Sequence, residues 1–508
     1  MAFVFFAAAQ EPPVSPKADA PVDKEKNWKP AEARSEVLKA LKEKRINASE
    51  LVKYNEMISE GKIAELQKDF AAREEDGAGA DWPQWLGPER NGSSPEKGLL
   101  RKWPKEGPEI LWKARIEQGW GSPAVSGNDV YLCGTYLPDK DKETVVCLDL
   151  KTGKLKWKYD YPVTVYWKYG VGWADGGVRC TPAVTDKYIY SIGVTGVINC
   201  LNRKTGSKVW DLDLGAKIAP GSEKGYVASP AIIDNKLIVF CGDCAREKPF
   251  NTSPDWKNII IAYDADTGKE IWKINEVRSS ARRNSEYHTP AMISYGKKDY
   301  IVIYADGILR CIDPENGNNI WTFKGFDQRA KGTGISTPII IEKTNILIVP
   351  ESGNAVLLNA AGKKPEKKWT QFFDNYANIQ NYVYYKGCIY GLGGELTGSS
   401  WEAANKAGQY LFCADASDGA IKWKTEKIFR MGDFLCLADG MLFIRSHRRL
   451  DLVEAAPGSF NLLSSIENVH NYSDLKSPRA LTDFVQPVVA KGKLFLRTPE
   501  ELICYKIK

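Results

Sequence analysis

The chain has 508 residues, 43% hydrophobic and 26% charged, a globular composition long enough for about two to four ordinary domains or one large repeat architecture. No stretch approaches the roughly 18 uncharged apolar residues of a membrane-spanning helix, which excludes a helical integral membrane protein. The net charge of +6, from 70 basic and 64 acidic residues, is modest and does not by itself imply nucleic acid. With 16 Trp, 23 Tyr, 17 Phe and 43 Gly against 5 Met, the mixture favours short strands and tight turns over helical packing.

Residues 1–10 carry an apolar run ending in Ala7-Ala8-Ala9, like the core and cleavage site of a secretory signal. The run is short and lacks a basic flank, so a truncated export signal and a frayed apolar start are the two readings. Export to the periplasm or cell envelope is the expectation. Residues 11–30 contain Pro12, Pro13, Pro16, Pro21 and Pro30 and read as a solvated linker. In 31–76, Leu38, Leu41, Leu51, Met57, Ile58, Ile63, Leu66 and Phe70 recur at helical spacings, with an N-cap at Asn47-Ala-Ser-Glu50 and a break at Gly61. A helical hairpin is predicted there, either a spacer with a charged solvated face or a partner-docking arm.

From Asp81 onward the sequence repeats itself. One element reads Cys147-Leu-Asp-Leu-Lys-Thr-Gly-Lys-Leu-Lys-Trp157. It recurs at Cys200–Trp210, Ala262–Trp272, Cys311–Trp321 and Cys413–Trp423, with a degenerate copy from Leu358 to Trp369. Asp or Asn accepts backbone hydrogen bonds at a strand end, and Gly supplies the positive φ of a tight hairpin. The Trp then lies on the next strand, where its flat ring can cover a neighbouring unit. A second element, Ser or Thr followed by Pro and an apolar run, opens each unit at Ser122, Thr181, Ser229, Thr289 and Thr337, with the variant Gln486-Pro487. Each unit is four short antiparallel strands, the blade of a β-propeller.

Trp112, Trp157, Trp210, Trp272, Trp321, Trp369 and Trp423 mark seven outer strands. The remainder holds one full blade, near 431–465 with Phe460 in the Trp position, and three strands near 484–507 that lack an outer partner. Residues 109–116 can supply it, which closes the ring through the chain ends and removes the open sheet edges. The predicted fold is therefore all-β: an eight-bladed propeller over 82–508, seven blades being the alternative, preceded by the helical segment.

The eleven-residue element resembles the tryptophan-docking motif of the quinoprotein-like propellers. These include the pyrroloquinoline-quinone-dependent alcohol dehydrogenases and the scaffold of the outer-membrane β-barrel assembly machine. The entry segment Asp81-Trp-Pro-Gln-Trp-Leu-Gly-Pro-Glu-Arg-Asn-Gly92 is similar to secreted members of that group. The resemblance implies both an enzymatic and a scaffolding expectation. The related dehydrogenases often carry a disulfide between adjacent cysteines, and this chain has no Cys-Cys pair; its Cys241-Gly-Asp-Cys244 is followed by Ala245 instead of the His of a haem attachment site. Their calcium site takes a Glu, an Asn and an Asp near the channel; Arg179, Glu286, His288 and Asp433 fall near inner-strand starts, and no triad is assigned. No cofactor is expected in the first reading; pyrroloquinoline quinone and calcium belong to the second.

Eleven cysteines exclude a complete intramolecular disulfide framework. Cys147, Cys200, Cys311, Cys413 and Cys504 share one repeat position that demands a small apolar residue, and they are expected to be reduced thiols. Cys241 and Cys244 leave a local bridge open. Long connections at 159–177, 242–257, 273–286, 322–333, 391–409 and 461–483 share one face. Trp167 and Trp173 in the first, Arg179 just past it, Arg282 and Arg283 beside His288, and Arg329 in the next connection are the candidate binding residues. Aromatic faces and guanidinium forks suit a protein partner or an anionic or carbohydrate-like ligand; the structural alternative is a loop mini-core with paired arginines. Basic residues form no continuous stripe, so nucleic acid is not expected, and the propeller is expected to be monomeric.

Overall fold

The computed structural model describes residues 29–42, 48–67, 79–136, 142–163, 177–215, 225–244, 257–277, 288–295, 297–305, 307–324, 337–348, 354–361, 364–373, 381–394, 408–429, 433–446, 449–467, 469, 485–498 and 500–508. The chain divides into two compact units, Met1–Ala78 and Gly79–Lys508. In the first, helices α1 (Pro30–Lys42) and α2 (Ala48–Ser59) are followed by a helical turn at 63–67. Pro30 begins α1 where its missing N–H costs nothing, and the Lys29 amide donates to Glu32 Oε2 at 2.9 Å in a first-turn cap. Ala33, Val37, Tyr54, Ile58 and Leu66 form the small core. Leu38 lies one step off this stripe and stays 51% exposed. Among the described residues no helix is long and apolar enough to cross a membrane.

The second unit is an eight-bladed propeller. Blade 1 comprises Ala124–Ser126, Asp129–Thr135, Lys142–Asp149 and Leu155–Pro162, ordered from inside to outside. Blades 2 to 7 repeat this plan from inner strands at Ala183, Ala231, Ala291, Ile339, Val383 and Phe434. Blade 8 has Val488–Ala490, Lys493–Arg497 and Glu501–Lys506 from the chain end, and Ile110–Arg115 as its outer strand. Trp112 pairs with Cys504 and Ile110 with Tyr505, so the two ends of the propeller segment close the ring as the orphan Trp112 predicted. The turns between first and second strands in blades 3, 6, 7 and 8 place both central residues at positive φ, among them Asp234-Asn235 and Lys386-Gly387. Such turns match the twist of the flanking strands.

The eleven-residue element is a device for joining blades. Asp149, Asp264 and Asp415 each accept the amide of Thr152, Thr267 or Ser417 at 2.8 Å, which folds the turn. The indole N–H groups of Trp112, Trp157, Trp210, Trp272, Trp369 and Trp423 then donate to the carbonyls of Leu150, Arg203, Ala265, Pro314, Ala416 and Ala456, at 2.7–3.2 Å. Every acceptor belongs to the next blade around the ring. For all of these but Trp423 the motif glycine of that next blade lies against the ring: a Cβ added to Gly206 would sit 2.5 Å from Trp157, and one on Gly153 2.5 Å from Trp112. Cys147, Cys200, Cys311, Cys413 and Cys504 face Trp157, Trp210, Trp321, Trp423 and Trp112 across the strand pair, where a small side chain leaves room. Trp321 enters a shared core with Ile346, Leu358 and Ala360 of blade 5, whose turn lacks the Asp-Thr-Gly chemistry.

Blade 7 breaks the pattern, and the structure corrects the reading of Phe460. The register places Ser464, not Phe460, opposite Leu452 at the Trp position. Trp103 from the entry segment supplies the missing ring: its amide donates to Ser464 Oγ at 2.9 Å, and its indole packs 6.2 Å from Phe443. Phe443 holds the strand position of Tyr131, Tyr190, Tyr390 and Phe495, which pack at 6.0–6.2 Å on Trp157, Trp210, Trp423 and Trp112. Phe460 instead meets Trp423 of the preceding blade at 6.1 Å.

A second set of bonds runs around the inner wall. The amide of Thr181 donates to Ser229 Oγ at 3.0 Å, the amide of Ser229 to Thr289 Oγ1 at 3.2 Å, and the Ser122 hydroxyl to the Gln486 carbonyl at 3.4 Å. Blade 7 has Phe434 at this position. Its neighbours compensate: Asn381 Nδ2 and Gln486 Nε2 reach the Leu435 carbonyl from either side, at 3.0 and 3.1 Å. The hydroxyls of Ser122, Ser229 and Thr289, each just before a proline, thus carry bonds between blades.

Docking of the indole on glycine predicts an asymmetry between two substitutions. Gly206→Ala combines a φ of 71° with a direct clash on Trp157 and should cost about 2–4 kcal/mol. Gly387→Ala has a φ of 80° but nothing within 4 Å and should cost only about 1 kcal/mol. Urea midpoints measure both, and equal losses would remove the role given to the glycine–indole contact.

Candidate binding face and the channel ends

In a four-stranded blade the turns after the first and third strands fall on one side of the ring. The connections after the second and fourth strands fall on the other. The entry segment closes the turn side. Trp82 bridges Val125 of blade 1, and Asp81 accepts from the Ser126 hydroxyl at 2.8 Å and pairs with Lys491 of blade 8 at 2.7 Å. The Val184 amide of blade 2 donates to the Pro83 carbonyl at 2.9 Å. Arg90, 4% exposed, donates to Ile232 and Pro290 carbonyls of blades 3 and 4 at 3.2 and 3.3 Å, and to Gln84 Oε1 at 2.5 Å. Burial lowers its guanidinium pKa to about 10. Gly92 then packs on Asn381, and Ser93–Ser94 adds a short parallel strand to Leu437–Ala438 of blade 7.

At the loop end, two arginines on the second strands of blades 7 and 8 carry a relay across the ring seam. Arg445 donates to the Arg497 carbonyl. Arg497, fully buried, donates to the carbonyls of Gly121 at 2.6 Å, Cys133 at 2.7 Å and Glu117 at 3.2 Å. Arg445, Arg497 and Cys133 hold the same position in three successive blades, so each guanidinium bonds the backbone of its counterpart next door. Burial lowers the Arg497 pKa to about 10.

Between blades 1 and 2 lies a buried carboxyl. Glu143 accepts the Tyr161 hydroxyl at 2.8 Å and the Val194 amide at 3.0 Å. Burial pushes it up to about 7, while these two bonds pull the other way. A segment around Gly119 lies beside it, bridged to Val178, and Arg179 sits over the Trp120 ring at 5.2 Å.

Of the candidate residues read from the sequence, Trp167, Trp173, Arg282, Arg283 and Arg329 lie outside the described residues. Arg179 is 9% exposed at the mouth of blades 1 and 2. His288 is corrected: it is fully buried, edge-on to Phe240 at 5.9 Å and Tyr304 at 5.5 Å, and belongs to the packing between blades 3 and 4 instead of an exposed binding face. Trp120, Arg445, Arg497 and Glu143 were not singled out, because an isolated Trp, Arg or Glu at a strand end has no local signature; only alignment of the repeats on the strand register shows the two arginines replacing the apolar residues of Ile192, Phe240 and Leu392.

The family described as outer membrane protein assembly factor BamB matches residues 96–241 and 142–425, more than half of the chain. The chain belongs to this family of pyrroloquinoline-quinone-like propellers. Among curated proteins it is 26% identical over 173 residues to the quinohemoprotein alcohol dehydrogenase ADH-IIG of Pseudomonas putida, covering 33% of this chain and 21% of that protein. It is also 26% identical over 125 residues to a polyvinylalcohol dehydrogenase of a Pseudomonas species, covering 25% and 15%. The matched region thus spans about a fifth or less of these relatives' length. Among solved structures, a europium-containing methanol dehydrogenase aligns with a TM-score of 0.59 at 15% identity, over 84% of this chain and 89% of that one. BamB from Moraxella catarrhalis aligns with a TM-score of 0.53 at 11% identity, over 79% and 98%. At these identities the structural likeness establishes the propeller fold.

The described cysteines Cys133, Cys147, Cys180, Cys200, Cys241, Cys311, Cys388, Cys413, Cys436 and Cys504 are free thiols, all buried. Cys241 is one of these free thiols, so the local bridge to Cys244 that the sequence left open is not formed. Burial pushes Cys147, Cys200, Cys311 and Cys504 up to about 12, which leaves almost no thiolate at pH 8. Iodoacetamide should therefore leave all five repeat cysteines unmodified in native protein and label them in denaturant. Native labelling of any one, read by mass mapping, contradicts the assigned register.

Proposed function

We propose that the protein is an exported, non-catalytic propeller scaffold that holds a protein partner on its long-loop face. The observation that carries this reading is the commitment of the charged groups along the channel. The terminal N–H groups of Arg90 and Arg497 bond backbone carbonyls and, for Arg90, Gln84 as well, and Glu143 is capped by a phenol and an amide. The entry segment occupies the turn side, so recognition falls to the long connections. There Trp167, Trp173, Arg282, Arg283 and Arg329 offer aromatic anchors and guanidinium forks for a partner surface, or for an anionic or carbohydrate-like ligand. The family description as an outer membrane assembly factor supports an envelope location and a protein partner. A monomeric ring is consistent with closure of its own sheet edges.

A quinoprotein-type dehydrogenase oxidising alcohols or sugars is the second reading, favoured by the names of the curated relatives. Pyrroloquinoline quinone with calcium requires a set of charged oxygen donors open to the ion. The buried Glu143 carboxyl has both oxygens engaged by Tyr161 and Val194, which supports the scaffold reading over this one.

The two readings separate in one pair of measurements. With pyrroloquinoline quinone and calcium added, dye reduction over a panel of alcohols and sugars should stay at background; turnover would overturn the scaffold reading. A photo-crosslinking residue at Trp167 should trap an envelope protein, while one at Lys151 on the turn side should not. Replacing Arg282, Arg283 and Arg329 by Ala should abolish that adduct at unchanged melting temperature. Equal adducts at both positions would place the partner elsewhere.

A further inference from the structure

The joint between blades 1 and 2 holds a group of buried polar side chains. On the second strand of blade 2, Tyr190 reaches toward blade 3, its hydroxyl donating to the Ala265 carbonyl at 3.1 Å. Strand alternation therefore turns Ser191 toward blade 1. Asn199 is its direct cross-strand partner and shares that face. Ser191 is fully buried and Asn199 1% exposed. The Ser191 hydroxyl and both ends of the Asn199 amide have no hydrogen-bond partner among the described protein atoms. The buried hydroxyl of Thr195, one residue past the amide that binds Glu143, is in the same state. The Glu143 carboxyl enters this joint from the blade 1 side, against Gly193, where an added Cβ would lie 2.0 Å from its oxygen.

Leaving four polar atoms dry costs about 1–3 kcal/mol each, more than a folded domain tolerates in one place. Neighbouring donors and acceptors with no protein partner are the lining that holds internal water, which typically makes about three such bonds. A metal ion suits the lining less well, because the Asn199 amide also presents N–H donors. We propose that ordered water occupies the joint between blades 1 and 2, bonded to Ser191, Asn199 and Thr195, and that this wet pocket lets Glu143 exchange its proton inside the fold.

The groups facing Glu143 are Tyr161 from its own blade, Cys133 from the second strand and Cys180 from the connection into blade 2; Arg497 lies near Cys133 and Arg179 near Cys180. Burial holds the phenol and both thiols protonated, so Glu143 is the one member of this group that titrates near neutrality, at about 7. A raised carboxyl keeps its proton in the folded chain after the unfolded chain has lost it. Stability from this group is thus greatest below the ordinary Glu value of 4.5 and is lost as pH rises toward about 7.

Infrared difference spectroscopy of the full chain tests the proton. The carbonyl band of a protonated carboxyl should titrate near pH 7 and be absent in Glu143→Gln. Glu143→Gln should also raise the melting temperature by about 2–4 °C at pH 8.5 and leave it unchanged at pH 4.5. A high-resolution crystal structure tests the water and should show it bonded to Ser191 and Asn199. A dry pocket, or a carboxyl already ionised at pH 5.5, overturns the proposal. A melting shift equal at both pH values, which a purely structural effect would give, overturns it as well.

Discussion

A β-propeller blade exposes two apolar faces and can bury them only against its neighbours, so the ring must close without a gap. In this chain the contact that meets the constraint is an indole laid on a glycine of the next blade, with its N–H fastened to a carbonyl three residues before that glycine. Truncating a buried ring of this size costs about 3–5 kcal/mol. Repeated around the circle, the contact joins blades whose individual sheets would not persist in water. The inner hydroxyl bonds of Ser229, Thr289 and Ser122 perform the same task on the channel side.

Where the repeat fails, other residues restore the joint. Blade 7 lacks both the tryptophan and the inner hydroxyl. Trp103 supplies the ring, and the longer side chains of Asn381 and Gln486 reach its backbone from either side. The same region carries the arginine relay from blade 7 through blade 8 to blade 1. These substitutions concentrate at the seam, where the outer strand of blade 8 comes from the far end of the propeller segment and chain connectivity gives no help.

Much of this was legible from residue types alone. The five cysteine or alanine positions, the glycines and the Trp spacing set the strand register, and the unpaired Trp112 pointed to closure against residues 501–507. Trp103 was not legible as a blade 7 residue, because it lies 361 positions from Ser464, the partner that identifies it. Phe460 misled because it is the aromatic residue near the expected position, yet it lies before the bulge that sets the pairing. His288 was read as a mouth residue from its place ahead of Thr289-Pro290, whereas its ring turns into the joint between Phe240 and Tyr304. Glu143 and Asn199 look like ordinary strand residues until the pairing shows that they face one another's blade.

The architecture places stability in the blades and leaves the long connections for recognition. All of it depends on the chain-end strand pair carrying the same load as the pairs inside a single blade. Native-state hydrogen exchange reads this directly. The amides of 110–115 and 501–506 should exchange only through global unfolding, at the rate of the inner pairs of blades 3 and 4. Exchange of the 110–115 strand faster by orders of magnitude, while blades 3 and 4 stay protected, would show that the ring opens at this seam and would contradict the account.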